Sequence, residues 1–100
     1  KAVDKWNPKT WLGPWELIKE NGYTETCILL GLCYTLQLTE RFSKSGFEIH
    51  ISTDNKSKET FMLLAVDDKI LQPYAVRVYS RSEVPSNWVS QKIHQMPVLN

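Results

Sequence analysis

From Ile28 onward the chain alternates. Ile28, Leu30, Leu32, Tyr34, Leu36 and Leu38 fall on one side of an extended backbone, and Thr35, Gln37 and Thr39 fall on the other. Successive side chains of a strand point to opposite faces, so this parity predicts a half-buried β-strand. A helix is the alternative, because residues 27–34 are apolar on both parities; the threonines and the length of the alternation favour the strand. Ser43-Lys44-Ser45-Gly46 reads as a turn, after which Phe47, Ile49 and Ile51 alternate with Glu48, His50 and Ser52. Residues 33–52 therefore read as a β-hairpin.

The pattern continues through a polar turn at 54–58, a doubly apolar strand from Thr60 to Val66, and a break at Asp67-Asp68-Lys69. Tyr74, Val76 and Val78 then alternate with Ala75, Arg77 and Tyr79, and Pro73 suits the first position of that strand. After Ser80 the period changes. Trp88, Val89, Ile93 and Met96 share a helical face, Ser82 or Ser86 can cap it, Pro85 suits its first turn and Pro97 stops it, so a helix is predicted there. Residues 15–20, ahead of the Asn21-Gly22 turn signal, read as a short helix with Pro14 at its first position or as a first strand. One hundred residues make a single domain, 1–100. The fold class is mainly β: an antiparallel meander that rolls up, with a helix after the last strand. The alternative is α+β, a helix packed on a four-stranded antiparallel sheet.

The charge balance excludes some partners. Twelve Lys+Arg against eleven Asp+Glu leave +1, too little for a nucleic-acid surface. The longest apolar run, 27–34, is far short of the roughly 20 residues of a membrane span. No signal peptide opens the chain, which starts at Lys1 and reads as a processed mature protein or a fragment. Cys27 and Cys33 would lie about 20 Å apart on one continuous strand, so two buried free thiols are expected. Asn55-Lys56-Ser57 is a glycosylation sequon that matters if the chain is secreted.

Reactive arrangements are scarce. Asp67 and Asp68 are adjacent and point apart on a strand, which fits a solvated turn. His50 sits on the polar face of its strand and His94 on the polar side of the expected helix, with no second ligand at metal spacing. There is no nucleophile elbow and no phosphate-binding glycine loop. The expectation is a protein that is not an enzyme and takes no cofactor or metal. Trp6, Trp11 and Trp15, interleaved with lysines, could stack bases, but edge packing suits a chain of this charge better.

Trp11-Leu12-Gly13-Pro14-Trp15-Glu16-Leu17-Ile18 resembles the opening of the lipocalins and fatty-acid-binding proteins, the calycins. Tyr74 to Ser82, followed by the 85–96 helix, is similar to the lipocalin close. The resemblance covers the two ends, about a quarter of the chain, and implies a shortened or incomplete calycin-like barrel. It also implies that Gly13 and Trp15 plug one end, with Arg81 packed across the Trp15 indole as a cation–π pair. The implied function is a secreted carrier, with a cytoplasmic location the alternative. Its ligand would be small and apolar, fatty-acid-like or retinoid-like, with Tyr34, Leu36, Leu38, Phe47, Ile49, Ile51, Phe61, Leu63, Tyr74, Val76 and Val78 as the lining. The alternative is a protein-interaction module using a sheet edge or the Trp-rich N-terminal stretch, with a second copy in a homodimer as one partner.

Overall fold

A computed structural model describes residues 3–20, 24–74 and 77–99. Two helices, α1 (Pro14–Glu20) and α2 (Glu25–Gln37), precede five strands: β1 (Phe47–Asp54), β2 (Thr60–Val66), β3 (Lys69–Leu71), β4 (Val78–Ser80) and β5 (Trp88–Gln95). Their order across the sheet is β4-β3-β2-β1-β5, and every neighbouring pair is antiparallel.

The strand expected over 28–38 is helix α2. Thr24 caps it, its hydroxyl accepting from the Cys27 amide at 3.2 Å. Thr26, Cys27, Leu29, Leu30, Cys33 and Gln37 are its buried residues, with spacings of three and four that coexist with the apolar parity. Thr35 does not break it, because its hydroxyl returns to the Gly31 carbonyl at 2.7 Å. The hairpin expected over 33–52 does not form, because its first arm is helical. The strands expected from Phe47 and over Thr60–Val66, and the 54–58 turn between them, do form and pair as the β1–β2 hairpin. Asp54 organises that turn, accepting from the Lys56 amide at 2.8 Å and the Asn87 side chain at 2.7 Å.

The helix expected over 85–96 is β5. Opposite the Ile51/Ser52 step of β1 the register shifts, leaving Gln91 as a bulge. Trp88 and Ser90 therefore share a face with Ile93 and Gln95. The extra residue breaks period two and produces a spacing that imitates a helix. Of the strand expected at 74–80, Val78–Ser80 pairs with β3; Val76 lies outside the described residues.

Phe47, Ile49, Ile51, Met62, Leu64 and Val66 face the helices and pack with Leu29, Leu30 and Cys33 into the main core. Each such side chain, fully buried, contributes about 1.5–3 kcal/mol. The opposite face carries a second cluster of Leu63, Ala65, Ile70 and Tyr79, flanked by Phe61, Val84 and Trp88. β4 and β5 lie at opposite edges, so residues 81–87 must cross the sheet. They run over this second face as a strap. Flat, four strand spacings would hold the edges roughly 19 Å apart. The Trp88 ring nevertheless lies 5.5 Å from Tyr79 and 5.0 Å from Phe61, so the sheet curls strongly beneath the strap. It does not close into a barrel. The segment that would have supplied the first strands is α2, and β3 and β4 have three residues each.

Candidate functional site

The residues expected to line one cavity are dispersed. Phe47, Ile49 and Ile51 are sealed in the main core beneath α2. Phe61 and Leu63 face the other way, because the hairpin register pairs them with Ser52 and His50. The Tyr34 hydroxyl donates to the Leu12 carbonyl at 2.6 Å and anchors the N-terminal segment. Leu38 and Tyr74 are exposed. The expected Trp15–Arg81 pair does not form. Trp15 projects from α1 and is 80% exposed, while Arg81 donates from Nε to the Asp67 carbonyl at 3.0 Å and lies 3.7 Å from Glu48. Gly13 instead directly precedes α1, its amide donating to Glu16 at 3.3 Å. Helix formation at 14–20 turned the indole outward.

Leu36 and Val78 do line one cleft. The helices cover β1 and β2, and the Trp11 ring packs edge-on against His94 of β5 at 5.2 Å. The short β3–β4 hairpin overhangs this cover. Between it and the end of α2 lies a cleft of about 350 Å³, lined by Leu36, Phe42, Val66, Leu71 and Val78, with Arg41, Asp67, Asp68 and Lys69 around it. Asp67 accepts from the Ser45 hydroxyl at 2.9 Å, and Asp68 pairs with Lys69 at 3.5 Å on the surface. The Arg41 guanidinium stands 5.2 Å from the Phe42 ring centre. The volume is at the lower end of small-molecule sites, and an apolar lining with a few charges at the mouth is their usual composition.

A second concavity of about 150 Å³ lies on the other face, between strap and sheet. Its walls are His50, Ser52, Leu63, Ile70, Arg81, Val84, Trp88 and Ser90. His50 is buried there, with Nε2 3.0 Å from Glu48 Oε1 and Nδ1 2.9 Å from Ser90 Oγ. Sequence spacing holds half of this signal: Glu48 and His50, two apart on a strand, must share a face. Ser90 was hidden by the bulge.

The cysteines are free and buried on α2, and burial pushes the Cys33 thiol up to about 12. Among the described residues, no group of three or more His, Cys, Asp or Glu side chains is placed to hold a metal ion, and no helix is long and apolar enough to cross a membrane. No family model matches the chain, and no curated protein or solved structure is significantly similar to it.

Proposed function

We propose that this chain binds a small apolar ligand with an acidic head, of the fatty-acid kind, in the cleft between α2 and the β3–β4 hairpin. The observation that carries the reading is the cleft itself, its apolar floor beside the cations Arg41 and Lys69. Burial of the ligand's chain drives binding at roughly 25 cal/mol per Å² of apolar surface removed from water. Lys69 is engaged by Asp68, so Arg41 is the cation that orients the ligand's carboxylate. The ligand class is the one the lipocalin resemblance implies; the place is a cleft and not a barrel interior. As a carrier outside the cell, the chain would take a glycan at the exposed turn of Asn55.

The test is titration with a fatty acid bearing an environment-sensitive fluorophore. Saturable one-to-one enhancement is expected, weakened about tenfold or more by Val78→Asp and less by Arg41→Ala. Absence of saturable binding, or equal binding by the Val78→Asp variant, overturns the reading. The interaction-module reading is favoured by Trp15 and Ile18, which lie three apart on α1 and are 80% and 71% exposed. Sedimentation of the chain and of its Trp15→Ala variant tests whether that patch joins two copies. The β5 edge suits a partner strand less well, being interrupted by the Gln91 bulge beside Lys92.

A further inference from the structure

The polar network under the strap has a fixed direction. A carboxylate only accepts hydrogen bonds, so in the neutral form of the ring the His50 proton sits on Nε2, facing Glu48 Oε1 at 3.0 Å. Nδ1 is then a bare acceptor. Ser90 Oγ, 2.9 Å away, must donate to it. A serine hydroxyl is thus held against an imidazole lone pair, and a carboxylate fixes the tautomer from behind. Arg81, 3.7 Å from the same Glu48 oxygen, supports the carboxylate's negative charge. The arrangement depends on the β5 bulge. Counting back from Ile93 without it, Ser90 would face the helices; the register shift at Gln91 turns it to the side of His50.

We propose that Ser90 is a nucleophile for short acyl esters bound in the strap pocket, with His50 as its base and Glu48 as a positioning residue. This site is on the opposite face of the sheet from the cleft and goes beyond the binding reading. A volume of about 150 Å³ admits an acyl group of a few carbons, and Leu63, Ile70, Val84 and Trp88 supply apolar walls. Ser90 Oγ attacks the ester carbonyl carbon as its proton passes to His50 Nδ1. The C–O bond to the alcohol breaks, and His50 returns the proton to the leaving alkoxide. Water then attacks the acyl-serine, giving up a proton through His50, and the carboxylic acid departs as Ser90 is restored. Ser52 and Arg81 line the same pocket.

The experiment is incubation of the folded chain with a fluorophosphonate and, separately, with p-nitrophenyl acetate, followed by peptide mapping. The expected result is a covalent adduct on Ser90. It is lost in Ser90→Ala, slowed about a hundredfold or more in His50→Gln and in Glu48→Gln, and partly restored in Glu48→Asp. Should the His50 variants fail to fold, the Ser90→Cys variant carries the test. Its new thiol should alkylate at neutral pH faster than a free cysteine, while the buried Cys27 and Cys33 stay silent. No adduct on Ser90 in the folded chain, labelling at equal rates with and without His50, or an ordinary alkylation rate in the Ser90→Cys variant each overturns the proposal.

Discussion

Glu25 joins three parts of the molecule, and its removal should cost more than any other half-exposed charge. It sits in the first turn of α2, and its Oε2 accepts from the Met62 amide at 3.1 Å. β3 pairs with β2 only from Leu64 onward, so Met62 lies on a stretch of β2 that no strand covers on that side. The Glu25 carboxylate stands in for the missing strand. Its Oε1 meets Lys5 Nζ at 3.5 Å, and the helix N-terminus favours its charge. A hydrogen bond to a charged group contributes about 1.5–3 kcal/mol, the helix dipole about 0.3–1, and the half-exposed ion pair about 0–1. Glu25→Ala should therefore destabilise by about 2–4 kcal/mol. For a domain this size each kcal/mol moves Tm by about 4–8 °C. Glu25→Gln keeps an acceptor for the amide and should cost about half as much; Lys5→Ala should cost under about 1 kcal/mol. Urea unfolding of the three variants decides. A Glu25→Ala loss below about 0.5 kcal/mol, or equal losses for Glu25→Ala and Lys5→Ala, would refute the account of a carboxylate finishing a sheet edge.

Burial first, and then Lys92, hold His94 below its ordinary pKa, and its Nε2 is buried without a partner. The native state binds the proton less well than the unfolded chain, so stability is full above about pH 6.5 and falls as the pH drops below it. His94→Gln should flatten that slope in thermal melts. At the other end, Cys33 is raised to about 12 and Tyr34 is raised by burial, then by Cys33 and Glu16. The unfolded thiol ionises from about pH 9, so stability should decline above that pH, less steeply in Cys33→Ala. Lys58 adopts a left-handed φ of 65°, and Lys58→Gly should stabilise by about 0.5–1 kcal/mol in urea unfolding.

How much of this was written plainly in the residues depends on the segment. Phe47–Ser52 alternates cleanly because one face meets the core and the other the strap, so β1 and its turn could be placed. Thr60–Val66 could be identified as a strand but not oriented. It is apolar on both faces, since both are covered, and only the hairpin register puts Leu63 opposite the side of Ile49. Residues 28–38 misled for a related reason. With leucines on both parities, a strand stripe and a helical stripe coexist, and the Thr24 cap decides between them. In β5 one bulged residue converted a strand's period into a helix's. The cleft gathered Leu36 and Val78 from the expected lining, yet its Phe42, Leu71 and Arg41 come from turns and short strands whose packing no periodicity encodes. Glu48 and His50 advertised a shared face; their partner depended on the misread strand.

The strap has a consequence for synthesis. β1 is made early, but its outer neighbour β5 follows it by some forty positions, and the intervening hairpins can pair locally while the ribosome is still working. Until Trp88–Gln95 emerges, the nascent sheet presents a bare flank on β1, and nothing crosses Leu63, Ile70 and Tyr79. Completion thus waits on the slowest class of contact, one distant in sequence. A message cut short before that stretch would release an unfinished sheet, ready to take a neighbour's strand in place of its own.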